Sequence, residues 1–280
     1  MDMIRESIRR QVRGLTGAKR AAPIVRPPGD DGLFGPHSVA WAVHRDFASM
    51  MIGGVAALQL QMLHPAALAG VWDHSNFRDD PEGRLGRTAR FIAVTTYAGT
   101  GEALAAIDRV RRIHERVTGT LPDGTPYRAS DPRLLTWVHA CETWCFLRAH
   151  LHYRNRALSG VDQDRYFAEM APLAERLGAE GVPTNRREMA AYFERMRPEL
   201  VSDNRTHSLL AALEAMQVKG NWTTRRFGRV VFEAAADLLP PCARAMLGLH
   251  APDLRTHAAR IGAQGMGVML RWALRSPKAA

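Results

Sequence analysis

From Phe47 to Trp72 the chain carries no lysine, arginine, aspartate or glutamate: FASMMIGGVAALQLQMLHPAALAGVW. A charge-free stretch of this length has to leave water, either across a bilayer or into a protein core. Gln59, Gln61, His64 and Pro65 interrupt its apolar character, and a proline cannot keep the hydrogen bond to the preceding helical turn. The segment is therefore expected as a buried core helix ending near His64 and Pro65. Such a helix needs many neighbours to cover it. The chain has 280 residues, 46% apolar and 24% charged, and a chain of that size hides roughly 70–75% of the surface its unfolded form exposes.

The remaining pattern is helical throughout. Val39 to Leu63 reads as one long helix and Arg84 to Ala98 as a second, with Arg84, Thr88 and Phe91 at three- and four-residue spacing. Thr100 is placed to cap a third, GEALAAIDRVRRIHERVTG, which Gly119 ends. Asp131-Pro132 opens a fourth with proline in the first helical position. Ser159 opens another that stops at Gly178, and Thr184 stands four residues before Glu188 at the start of a further one. Helical stretches follow to the C-terminus, with no strong alternating strand pattern and no internal repeat. The expected fold class is all-α, as a single globular helical domain. Residues 1–35 are expected as a basic arm and a Pro/Gly loop, and residues 36–275 as the helical domain.

The formal net charge is +10 and arginine dominates the basic residues. No zinc-finger, RRM or KH pattern accompanies that charge, so nucleic acid is not the favoured partner. Three cysteines in a long chain do not make a disulfide framework. Together with an N-terminus that has no apolar signal region, they lead to an expected cytoplasmic location. The Arg-rich first 20 residues leave room for peripheral membrane contact.

Four places could carry chemistry. His114 shares a 3-4-3 stripe with Ile107, Val110 and Val117, while most arginines of that helix lie on other faces. A histidine on an apolar face is either a packed core residue bonded to a carbonyl or a metal or haem ligand. His64 and His74 stand near the ends of the apolar segment, as turn and cap residues or as a polar rim to a ligand site. Arg84 and Thr88, four apart, share one helix face and can hold an anion. His139 points inward with Leu135 and Val138. Cys141 and Cys145 are expected as buried free thiols, and HExxH, CxxC, GxSxG and Walker patterns are all absent.

Taken in order, MLHPAALAGVWDHSNF, RLGRTARFI, Ile113 to Gly119, DGTPYRASDPRLLTWVHA and YFAEMAPLAERLG resemble one family. It contains the latex-clearing (rubber) oxygenases and the mycophenolic-acid-pathway oxygenase B, and the resemblance covers about residues 35–245. It implies a globin-like helical core around haem b. It implies an oxygenase that uses dioxygen on an apolar, isoprenoid or lipid substrate, with an electron donor the sequence does not name. It implies His114 as the axial ligand of the haem iron, with Arg84 and Thr88 near the distal side or the propionates. His139 is a second histidine for the haem pocket, and His64 or His74 a hydrogen-bond donor to bound oxygen. Met50, Met51, Leu58, Met62 and Phe91 would line an apolar access path. Where rubber-cleaving members carry a lysine before the threonine, this chain has Arg87, which stays protonated and cannot ligate iron. Two other readings remain at this stage. One is a non-haem metal site using His64, Asp73, His74 and His139. The other is a basic helical module binding nucleic acid or an anionic membrane.

Overall fold

The computed structural model describes residues 5–6, 24–217, 222–249 and 253–274. Most of the basic arm, with its proposed membrane contact, lies outside the described residues. Within them the chain is all-α, with twelve α-helices and one small two-stranded sheet.

The expected helix from Val39 to Leu63 is two helices. Ser38 caps α1 (Val39–His44), accepting from Trp41 N. The chain then breaks at Asp46, whose carboxylate caps α2 (Phe47–Gln61) by accepting from Ser49 N at 3.0 Å. Asp46 can leave the helix because its second oxygen binds Arg271 Nη1 at 3.0 Å and lies 3.8 Å from Arg154 Nε. Three distant segments thus meet at one buried carboxylate, which a sequence window cannot register. The apolar run turns again at His64. α3 (Pro65–His74) leaves α2 at 105°, so no single helix among the described residues is long and apolar enough to cross a membrane.

Asp80 caps α4 (Pro81–Tyr97) through Gly83 N, one turn earlier than Arg84 suggested. Thr100 does not cap α5 (Thr100–His114) with its own side chain. Asp30 does so from the loop before α1, accepting from Thr100 N and Thr100 Oγ1 at 2.7 Å each. α5 ends at His114, before Gly119. There Val117 O accepts from Ala129 N at 2.8 Å and the chain passes into an antiparallel hairpin, β1 (Thr118–Thr120) with β2 (Pro126–Arg128). β1 overlaps the expected end of the third helix and β2 lies between the expected third and fourth, both too brief for alternation to show.

Asp131 caps α6 (Pro132–Tyr153) with proline at its start, as the sequence indicates. Ser159 caps α7 (Gly160–Leu177), and Gly178 ends it at φ +105°, a left-handed geometry suited to glycine. Asn185 caps α8 (Arg186–Met196), while Thr184 N and Oγ1 both donate to Glu188. α9 (Asn204–Gln217), α10 (Trp222–Leu238), α11 (Pro241–Met246) and α12 (Asp253–Leu274) complete the chain.

α2 runs through the centre and packs most extensively on α6, with α10 and α12 along its other side. Both central helices are buried almost all round, from Ile52, Val55 and Leu60 on α2 to Trp137, Phe146 and Leu147 on α6. α4 and α5 lie side by side, tied by Arg90 to Glu102 at 3.5 Å, and α5 also packs on α7. Gly53 sets the α2–α6 approach. A Cβ there would stand 3.0 Å from Cys145 O, Phe146 Cα and Phe146 Cδ1. Two of those atoms are backbone and cannot rotate away. Gly53→Val is expected to destabilise by about 1–3 kcal/mol, the usual range for overpacking. Urea unfolding measures it, and an unchanged midpoint would mean the two helices separate freely.

Candidate active site

The candidate residues stand on α4 and α5, which pack side by side, and on the central helix α6. On α5 the apolar stripe predicted from spacing exists: Ala103 and Ile107 are buried, and Val110 and His114 are partly so. His114 closes the last turn of the helix. That end of the helix dipole favours a charged imidazole, but two stronger effects oppose it. Burial, first, and the cation of Arg84, second, push the His114 pKa down. The ring is therefore held neutral. Its Nδ1 is buried and has no hydrogen-bond partner.

On α4, Arg84, Thr88 and Phe91 share the face that the spacing predicts. Thr88 Oγ1 donates to Arg84 O at 3.3 Å. The Arg84 guanidinium lies 5.9 Å over the Phe77 ring. Protein atoms crowd it, and that burial lowers its pKa, while Glu142 of α6 raises it and Arg87 lowers it. Arg87, three residues on, is exposed.

α6 contributes two residues. His139 is 8% exposed, and burial takes its pKa down to about 4, so it too is neutral. Glu142 was not singled out from the sequence. Burial pushes its pKa up to about 7, against the opposing pull of the Gln61 side chain and of Arg84. Gln61 itself is anchored by Nε2 donating to Val138 O at 3.2 Å. No periodicity could have picked out Glu142, because its helix is buried nearly all round.

The other predicted histidines have separate settings. His64 caps α3, its Nδ1 accepting from Ala66 N at 3.2 Å, so its proton sits on Nε2, 4.0 Å from Glu199. His74 is exposed, and its Nε2 bonds to Thr118 O at 3.0 Å. Beside it Tyr127 donates to Asp73 at 2.6 Å, so the pair pins the hairpin to the end of α3. Among the described residues no three His, Cys, Asp or Glu side chains are grouped so as to hold a metal ion, and His64, Asp73, His74 and His139 make no such cluster. Cys141 and Cys145 are buried free thiols, and Cys242 is also free.

Two further buried histidines escaped the sequence reading, His44 and His150, and His150 Nδ1, like His114 Nδ1, has no hydrogen-bond partner. His44 Nδ1 lies 2.8 Å from Thr96 Oγ1, and its Nε2 lies 3.0 Å from Tyr166 OH. Thr96 Oγ1 already donates to Ile92 O at 2.7 Å, so His44 Nδ1 carries the proton and Tyr166 donates to Nε2. Burial takes the His44 pKa down to about 3. Unlike His114, it has a protein partner for each ring nitrogen.

Compared with known proteins, residues 41–272 match the family described as ER-bound oxygenase mpaB/B'/rubber oxygenase, catalytic domain. No curated protein and no solved structure matches the chain.

Proposed function

Because this chain belongs to the mpaB/rubber oxygenase catalytic-domain family, we propose that it is an oxygenase that binds haem b through His114 and oxidises an apolar isoprenoid or lipid substrate with dioxygen. The observation that carries the cofactor assignment is His114 Nδ1, buried without a partner on a ring held neutral beside Arg84. A buried polar nitrogen left unpaired is costly, and a neutral imidazole on a rigid helix suits an iron porphyrin. Bound there, haem would supply the iron that reacts with dioxygen.

The side chains then divide the remaining work. Arg84 offers a buried cation to a propionate or to an oxygen atom that gains negative charge. The Thr88 hydroxyl spends its hydrogen on Arg84 O, so it faces a ligand as an acceptor. Arg87 is permanently charged and exposed, so it does not compete for the iron. His139 adds a neutral ring from α6. Met50, Met51, Leu58 and Phe91 are partly buried against the core and offer apolar surface to a substrate. The fit is of donor types: the unpaired Nδ1 of His114 for iron and the guanidinium of Arg84 for a carboxylate.

The test is a spectrum of the purified protein, expressed with a haem precursor, with a pyridine haemochrome assay. A Soret band and near-stoichiometric b-type haem are expected. A colourless protein that takes up no haem on reconstitution would overturn the assignment.

A further inference from the structure

Tyr166, His44 and Thr96 form one hydrogen-bonded line across three helices. Tyr166 on α7 and Thr96 on α4 are 0% and 1% exposed, and His44 between them, on α1, is 6% exposed. The Tyr166 hydroxyl donates to His44 Nε2 at 3.0 Å, and His44 Nδ1 donates to Thr96 Oγ1 at 2.8 Å. Thr96 donates onward to Ile92 O at 2.7 Å, which fixes the direction of the whole line. The Phe146 ring meets His44 edge-on at 5.7 Å. α1 packs on both α4 and α7, and α7 packs on α5 and α6. The line therefore runs from the helix that carries Arg84 and Thr88 to a helix in contact with that of His114.

The chain has five tyrosines, and the other four lack this setting. The hydroxyls of Tyr97 and Tyr192 are buried without a partner. Tyr153 donates to Ala234 O at 3.2 Å, and a peptide carbonyl does not take up the proton. Tyr127 has an acceptor in Asp73 at 2.6 Å, but Asp73 is exposed to water. Tyr166 alone places its hydroxyl on a buried base that is neutral and free to accept a proton.

We infer that Tyr166 is a redox-active tyrosine, which gives an electron to a strong one-electron oxidant while its hydroxyl proton passes to His44 Nε2. The O–H bond of Tyr166 breaks and an N–H bond forms on His44. The products are a neutral phenoxyl radical, an imidazolium that still donates through Nδ1 to Thr96, and an oxidant reduced by one electron. Loss of the electron alone would leave a positively charged phenol in the protein interior, which is costly. Moving the proton puts that charge on an imidazole whose other nitrogen already has an acceptor. One electron from a small reductant of the ascorbate class, with the proton returning from His44 to the oxygen, restores the pair. An oxygenase that activates dioxygen with no substrate in place is a source of such an oxidant, and the pair gives the oxidising equivalent a way out.

The inference goes beyond the haem assignment and is tested without haem, so the two fail separately. The full chain, purified haem-free, is oxidised by a photogenerated ruthenium(III) polypyridyl complex, since an electron can tunnel from a buried ring without contact. Electron paramagnetic resonance of rapidly frozen samples reads the radical. A neutral tyrosyl signal is expected, narrowed when the protein is grown on ring-deuterated tyrosine. Tyr166→Phe is expected to abolish it and Tyr127→Phe to leave it. His44→Gln is expected to slow radical formation by on the order of a hundredfold, the scale for losing a positioned proton acceptor. Heavy water should slow the reaction in the unsubstituted chain and leave His44→Gln unaffected. Circular dichroism checks that the variants fold. The unsubstituted chain supplies a second sign: a proton coupled to the radical oxygen, exchangeable in heavy water, which Tyr97 and Tyr192 have no partner to provide. Absence of a tyrosyl signal, a signal that survives in Tyr166→Phe, or an unchanged rate in His44→Gln would each overturn the proposal.

Discussion

His114→Ala is expected to leave the protein folded and almost free of haem, with occupancy reduced by on the order of tenfold or more, the scale on which even supporting residues change metal affinity. Two independent signs make this result informative. In haem-containing protein the substitution removes the proposed axial bond, and added imidazole should restore part of the Soret band by filling the space left behind. In haem-free protein the same change removes a buried nitrogen that has no partner. Its unfolding midpoint should therefore hold or rise, because an unsatisfied polar atom contributes only its desolvation cost. A core histidine with a structural role would show the opposite sign. His44 is the built-in control, since both its nitrogens are bonded and His44→Ala strands two hydroxyl partners. Full haem and an unchanged spectrum in His114→Ala would remove His114 from the site.

Trp137→Ala is expected to cost about 3–5 kcal/mol, the range for removing a large buried aromatic side chain. Trp137 is 0% exposed. Its ring meets Phe193 of α8 edge-on at 5.8 Å and His64 at 6.0 Å, and its Nε1 donates to Gln61 O at 3.4 Å. It therefore fills the junction of α2, α3, α6 and α8. Trp137→Phe keeps most of that volume and should cost clearly less. Chemical denaturation of both variants measures the pair, and a loss below about 1 kcal/mol in Trp137→Ala would mean the junction collapses without leaving a cavity.

Sequence reading located the two helix faces that matter most. His114 stands on a stripe with Ile107, and Arg84, Thr88 and Phe91 stand on another, because an amphipathic helix shows its buried side as a 3.6-residue rhythm. Buried residues on α6 gave no such rhythm, so His139 could be noticed only as a histidine and Glu142 not at all. His64 and His74 were legible as residues near turns. Their partners, the Ala66 amide and the Thr118 carbonyl, became visible only when the chain was folded.

The sequence alone determined the helical class, the helix starts at Asp131 and Ser159, the stop at Gly178 and the burial of the charge-free run. Each depends on residues within a few positions of one another, where capping and turn chemistry act. The tertiary structure decided the break at Asp46, which needs Arg271 from the far end of the chain. It decided the cap of α5, which comes from Asp30 across 70 residues. It also decided the settings of Arg84, His114 and Glu142, three residues on three helices whose pKa values are set by how deeply the packing encloses them. Burial and through-space charge depend on distance in space, and distance along the chain carries no record of them.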